Sequence, residues 1–140
     1  FKFRTMVINL ESDSKWADDN DKRLTTIGKF LRLTAMDEMP QFINVLFGDM
    51  SVVGPRPHPI NLNKEYEGKL INFNKRHRFK PGITGLAQVS GFRGEVEDDN
   101  FIANRVKYDI FYLENWSIIM DLRIVIKTVI DALAGDEKAY

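Results

Sequence analysis

The sequence contains no cysteine. That excludes a disulfide framework and any thiolate metal site, and it is compatible with a cytoplasmic location. Histidine is scarce as well: His58 and His77 are the only two, and each is too isolated to suggest a zinc site. Excess charge of one sign is also missing. Lys+Arg and Asp+Glu both total 20, and basic and aromatic residues do not interleave, so nucleic acid is not an expected partner. No run of 18 apolar residues occurs, which leaves no segment to span a bilayer as a helix. The glycine patterns of dinucleotide-binding and P-loop folds are absent, and no Ser or Cys stands in a nucleophile elbow.

What is present is enough for one domain with a core: 140 residues, 44% of them hydrophobic, with no internal repeat, low-complexity tract or Pro/Gly linker. The chain opens on Phe1-Lys2-Phe3-Arg4-Thr5-Met6-Val7-Ile8 with neither an initiator Met nor a signal peptide. We expect a fragment of a longer protein. Alternation makes this opening a strand, with Lys2 and Arg4 on one face and Phe1, Phe3 and Val7 on the other. Charge is uneven along the chain. Lys75-Arg76-His77-Arg78-Phe79-Lys80 is basic and Glu95 to Asp99 acidic, patches that read equally as solvated surface or as an anion site.

The remaining pattern alternates helices with short extended pieces. Residues 11 to 23 are polar loop, and Thr25 or Thr26 caps a short helix with Ile27, Phe30 and Leu31 as its apolar edge and Lys29 and Arg32 outside. Met39, Phe42, Ile43 and Leu46 recur at i, i+3, i+4, i+7 as one buried stripe of a central helix that Gly48 ends. Ser51-Val52-Val53 is a short strand. A polar helix runs from about Ile60 to Arg78 carrying Leu62, Tyr66, Leu70 and Phe73. Pro81 to Gly85 is a turn, Leu86 to Val89 is β-like, and residues 91 to 100 form a mobile acidic loop. Two helices close the chain. The first presents Ile102, Val106, Ile110 and Leu113; the second starts at Asn115 or Ser117 and presents Ile118, Leu122, Val125, Ile126, Val129, Ile130 and Leu133, a face whose periodicity favours core. The fold class is α+β, helix-rich, with a small β element.

The chemistry gathers around Asp37-Glu38. Adjacent residues on a helix diverge by about 100°, so a shared proton is less natural than a division of labour, one carboxylate attacking or accepting a proton and the other binding a cation. The same pair before Pro40 also reads as ordinary helix-start chemistry with Asp37 as N-cap. Arg56 stands between Pro55 and Pro57, which remove most of its backbone freedom and present a guanidinium suited to bidentate phosphate contact. A surface loop with a salt bridge fits it equally. Lys2, Arg4 and the cluster from Arg76 to Lys80 could add positive charge. Asp109 and Asp121 lie near apolar faces, where a lone carboxylate is costly, so pairing with basic residues is favoured over metal binding. Nucleophile, metal ligand and phosphate-binding cation together would suit phosphoryl transfer.

Taken in order, several stretches resemble the bacterial sugar transferases, the monotopic polyprenyl-phosphate phosphoglycosyl transferases. They are Lys2-Phe3-Arg4-Thr5-Met6, Asp37-Glu38 with Asn44-Val45-Leu46, and Gly48-Asp49-Met50-Ser51-Val52-Val53-Gly54-Pro55-Arg56-Pro57. Arg76-His77, Lys80 to Val89, Tyr108-Asp109 with Tyr112, and Ser117 with Asp121-Leu122 follow. Pro57-His58-Pro59, Gly91-Phe92-Arg93-Gly94-Glu95 and Asn115-Trp116-Ser117 resemble the branch that begins exopolysaccharide or capsule repeats, with glucose or galactose the expected sugar. Ala35-Met36 and Val96 depart from the commoner Ser-Leu and Thr. The resemblance implies transfer of a sugar-1-phosphate from a UDP-sugar to undecaprenyl phosphate with release of UMP. It implies Asp37 as nucleophile, Glu38 as Mg²⁺ ligand, and Lys2, Arg56, Gln88 and Lys80 around phosphate or substrate, with Asp109 and Asp121 in support. It further implies the cytoplasmic face of the bacterial inner membrane, with the C-terminal apolar faces as interfacial helices. The oligomeric state is left open, a homo-oligomer included. A non-catalytic membrane or anionic-ligand binding module is the alternative.

Overall fold

Thr25 starts the first helix as its pattern predicts: its hydroxyl accepts from the Gly28 amide at 2.9 Å and caps α1, Thr26–Leu33. The computed structural model describes residues 1–7, 22–34, 36–94 and 98–134. The expected loop at 11 to 23 falls mostly outside them, as do residues 95–97 of the acidic loop. The later elements are α2 (Gln41–Leu46), β1 (Ser51–Val53), α3 (Ile60–Glu67), β2 (Gly82–Thr84), α4 (Leu86–Val89), α5 (Asp99–Glu114) and α6 (Ile118–Ala134). Helix-rich α+β is the class observed.

The opening residues do not form the expected strand. They make one antiparallel bridge, Met6 to Leu24, and are held by individual contacts. The Phe3 amide donates to the Asp37 carbonyl at 2.9 Å, and Arg32 donates to the buried Thr5 hydroxyl at 2.9 Å. The segment crosses α1 so closely that a Cβ at Gly28 would stand 1.9 Å from the Thr5 carbonyl oxygen, so only glycine fits.

Between Pro81 and Val89 the expected order is reversed. Gly82–Thr84 is strand, paired parallel with β1 in the register Ser51 to Gly82 and Val53 to Thr84, and Leu86–Val89 is helix. The local pattern of Pro81-Gly82 signals a turn, but the partner strand supplies the ladder, and pairing with it wins. The long helix expected from Ile60 to Arg78 likewise breaks. It stops at Gly68, passes through Asn72 in the left-handed region (φ 67°), and resumes as a 3₁₀ turn at Phe73–Arg78.

Two hydrophobic clusters hold the chain. Leu62, Tyr66 and Phe73 pack on Ile102 and Val106 of α5, with Leu70 and Ile110 against them. Val53, Tyr112 and Ile124 form the second, joined by Leu86, Val89, Leu113, Met120 and Val125. The core stripe expected of α5 is therefore present. That of α2 is not, and of the stripe expected of α6 only Val125 turns inward. In α2 the half-buried residues are Gln41, Asn44 and Val45, while Met39, Phe42, Ile43 and Leu46 are exposed. In α6 the inward line is Met120, Asp121, Ile124, Val125 and Thr128, and Ile118, Leu122, Ile126, Val129, Ile130 and Leu133 face out. Both helices turn a mixed face to the core and an apolar face away from it. Among the described residues no helix is long and apolar enough to cross a membrane.

Candidate active site

Asp37 is not a helix cap. It lies in a 3₁₀ turn, Met36–Glu38, ahead of Pro40, which itself occupies the cap position of α2 without a side-chain bond. Both Asp37 and Glu38 are buried. Adjacent as they are, the two carboxylates reach one ammonium: Lys2 Nζ stands 3.0 Å from Asp37 Oδ2 and 3.2 Å from Glu38 Oε1. The Phe3–Asp37 backbone bond puts Lys2 there.

Arg56 approaches Glu38 from the other side. Its Nη2 donates to Oε1 at 2.7 Å and its Nη1 to Oε2 at 3.4 Å, a forked contact, while Nη1 also donates to Gln88 Oε1 at 3.2 Å. The position comes from the sheet. β1 delivers Gly54-Pro55-Arg56, and the Gly82 amide donates to the Pro55 carbonyl at 3.0 Å. A Cβ on Gly82 would lie 2.1 Å from the Gly54 nitrogen, so this approach requires glycine. Gln88 is buried on α4 and donates in turn to the Ile83 carbonyl at 3.3 Å. A third cation, Arg93, comes within 3.8 Å of Glu38 Oε2. Burial alone would raise the Glu38 carboxyl, but Arg56, then Lys2 and Arg93, outweigh it and hold its pKa at about 2. The result is a buried carboxylate pair ringed by three part-exposed cations, an arrangement suited to receiving phosphate oxygens beside a nucleophile.

Beneath this ring lies a second polar layer. Arg76 pairs with Asp109 through Nε at 3.0 Å and Nη2 at 2.9 Å, and both residues are sealed from solvent. Arg76 therefore departs from the surface reading of the basic run, whose His77, Arg78 and Lys80 are exposed. Arg76 Nη2 also donates to the Arg56 carbonyl at 2.6 Å and Nη1 to the His58 ring; Arg105 Nη1 reaches His58 Nε2 at 3.2 Å. Arginine only donates, so the imidazole accepts and is neutral. Burial, then Arg76, Arg105 and Arg56, hold its pKa at about 2. Burial raises Asp109 to about 6 against the pull of Arg76 and Arg105, leaving it ionised at neutral pH.

Lys2, Asp37, Glu38, Arg56 and Gln88 thus converge. Asp109 sits in the layer below them, paired with a cation as expected. Lys80 and Asp121 lie elsewhere, lining a cleft with Val45, Val53 and Leu122. Among the described residues Asp121 meets no cation: its oxygens accept from the Tyr112 hydroxyl at 2.8 Å and the Trp116 indole at 3.1 Å. Sequence reasoning missed Arg93, Arg105 and His58 as site residues. For Arg105 a signal existed, because 102, 105, 106 and 109 share the i, i+3, i+4, i+7 register of the buried stripe.

A family model for bacterial sugar transferases matches residues 1–135. The chain belongs to this family. Among the family's curated proteins, a UDP-glucose:undecaprenyl-phosphate glucose-1-phosphate transferase of Klebsiella pneumoniae is 50% identical over 92% of this chain and 28% of its own length. One of that name from Xanthomonas campestris pv. campestris is 44% identical over 100% of this chain and 29% of its own. A UDP-N-acetylgalactosamine-undecaprenyl-phosphate N-acetylgalactosaminephosphotransferase of Aeromonas hydrophila is 38% identical over 96% and 32%. The chain spans only about three tenths of the length of these bacterial sugar transferases.

Proposed function

We propose that this chain carries the catalytic centre of a phosphoglycosyl transferase that moves a sugar-1-phosphate from a UDP-sugar, glucose or galactose, to undecaprenyl phosphate. Such a reaction would begin exopolysaccharide, capsule or O-antigen repeats. The observation that carries the reading is the convergence of Lys2, Arg56 and Arg93 on the buried Asp37-Glu38 pair. The activities for which the relatives are named support a UDP-sugar donor, UDP-glucose among them, and undecaprenyl phosphate as acceptor.

In this reading an Asp37 oxygen attacks the β-phosphorus of the donor. The bond from that phosphorus to the bridging oxygen breaks, UMP leaves with the bridging oxygen, and an acyl-phosphate sugar remains on Asp37. A phosphate oxygen of undecaprenyl phosphate then attacks the same phosphorus and frees the carboxylate. Lys2 and Arg56 compensate the diphosphate charge, and Gln88 holds Arg56 in place. Splitting the transfer in two predicts ping-pong kinetics.

Mg²⁺ fits the donor chemistry. The ion takes one or two carboxylates together with phosphate oxygens and water, and Glu38 offers a hard oxygen ligand kept ionised by its surroundings. Among the described residues no three acidic or histidine side chains gather to hold a metal, so the donor phosphates would complete the set. Bound there, it would offset repulsion between carboxylate and diphosphate. The outward apolar faces of α2 and α6 support docking on the cytoplasmic face of the inner membrane, where the lipid acceptor resides.

The test is UMP release by the full-length protein in membranes given UDP-glucose and undecaprenyl phosphate. Asp37→Asn is expected to lower turnover by about 10³-fold or more, the scale of losing a covalent nucleophile. Asp37→Asn at the wild-type rate would end the assignment. Vesicle binding without UMP release from any UDP-sugar would favour the non-catalytic module.

A further inference from the structure

Arg105 is among the most buried side chains of the described residues, yet among those residues no carboxylate bonds it directly. Instead it grips three successive carbonyls of one turn: Nε donates to Phe92 O at 2.8 Å, and Nη2 to Arg93 O at 2.9 Å and Gly94 O at 2.8 Å. A buried guanidinium is costly and would be replaceable by an apolar side chain if filling space were its only task. Backbone bonds hold the entry to the turn, the Gly91 amide donating to the Gln88 carbonyl at 3.2 Å and the Phe92 amide to the Ala87 carbonyl at 3.0 Å. Gly91 (φ 91°) and Gly94 (φ 54°) both adopt left-handed backbone, and a Cβ on either would meet nothing within 4 Å. Phe92 anchors one side against Phe101 and Tyr108, with ring centroids 5.5 and 5.2 Å away. The next residue, Arg93, points its guanidinium at Glu38.

We propose that Arg93 is a further donor-contacting residue, taking a phosphate oxygen of the nucleoside diphosphate sugar, and that Arg105 is the positioning residue that aims it. The inference rests on the phosphotransfer reading of the Asp37-Glu38 centre. It gives two buried arginines parallel tasks. Arg76 holds the Arg56 carbonyl, Arg105 holds the Arg93 turn, and His58 accepts from both.

The experiment is a double-mutant cycle in the full-length protein with Arg93→Ala and Arg105→Lys. Its readouts are the affinity for UDP by calorimetry and KM and kcat for UDP-glucose. Each single variant is expected to weaken UDP binding and raise KM by about 10-fold or more, with kcat within about threefold, and the double variant to match Arg93→Ala alone. Should Arg105→Lys fail to fold, Gly94→Ala takes its place. That substitution strains the turn from a solvent-exposed position and should likewise be silent once Arg93 is gone. Additive effects in either cycle would overturn the proposal. A coupled UDP-affinity cycle without UMP release would sink the transfer reading and keep this one. Failure of the wild type to bind UDP would overturn both.

Discussion

Two sets of acids and bases lie one above the other in this chain and differ in access. In the upper set Asp37 and Glu38 are buried but their cations are not: the Lys2 side chain is 45% exposed and that of Arg56 26%. In the lower set Arg76 and Asp109 are 1% and 2% exposed. The same residue types therefore do different work. A sealed pair cannot receive a ligand, and its value lies in holding backbone, here the Arg56 carbonyl. Cations that reach solvent, as Lys2 and Arg56 do, can turn to phosphate oxygens.

The sharpest way to break this contrast is to remove a partner from the sealed set. Arg76→Met leaves Asp109 buried without its guanidinium and should cost about 3–5 kcal/mol in denaturant unfolding. A loss under about 1 kcal/mol would show that the lower layer is not a scaffold. Next in size is a pH effect. His58 has a folded pKa of about 2 against an ordinary 6.5, so below pH 6.5 the unfolded chain takes up a proton that the folded chain refuses. Stability is lost as pH falls, by about 1.4 kcal/mol per unit. His58→Gln keeps an acceptor but cannot protonate, so the stability difference between wild type and variant should shift by about 2–3 kcal/mol from pH 6.5 to 4.5. Asp109, with its raised pKa of about 6, acts with opposite sign over part of this window in both proteins. The difference, not either curve, isolates His58.

The upper set responds to geometry more than to charge. Arg56→Lys keeps a cation but loses the fork, and kcat/KM for the UDP-sugar should fall by about 10–30-fold with stability changed by less than about 1 kcal/mol. An equal loss in both would make Arg56 part of the scaffold instead. Smallest is Asp121→Asn. Its oxygens serve Tyr112 and Trp116, so about 1 kcal/mol of stability and near-wild-type turnover are expected. A large fall in turnover would move the centre toward the Lys80 cleft.

Much of this arrangement was legible from residue order, and its failures share a cause. Capping at Thr25, the strand at Ser51–Val53 and the α5 stripe are set by local chemistry, and they appear where local chemistry puts them. Periodicity found the apolar stripes of α2 and α6 but could not say which way they face, because direction is decided by the rest of the molecule. Gly82-Ile83-Thr84 reads as a turn until β1 stands beside it. The run holding Arg76 reads as solvated surface as readily as an anion site, and Arg105 draws no reading of its own, because charge ordinarily stays wet. Only the carbonyls and Asp109 around them make burial tolerable, and no local window contains those partners. On its own residues Asp37-Glu38 reads better as a helix cap than as a catalytic pair; Lys2 and Arg56, 35 and 18 positions from Asp37 and Glu38, separate the two.

The central claim is that Asp37 carries the sugar phosphate between donor and acceptor. Intact-mass analysis of the full-length protein, given UDP-glucose without acceptor and quenched rapidly, addresses it directly. The account predicts a mass gain of one hexose phosphate that maps to Asp37, disappears when undecaprenyl phosphate is added, and never forms in Asp37→Asn. UMP release and lipid product with no adduct on Asp37, and with Asp37→Asn still turning over, would contradict it.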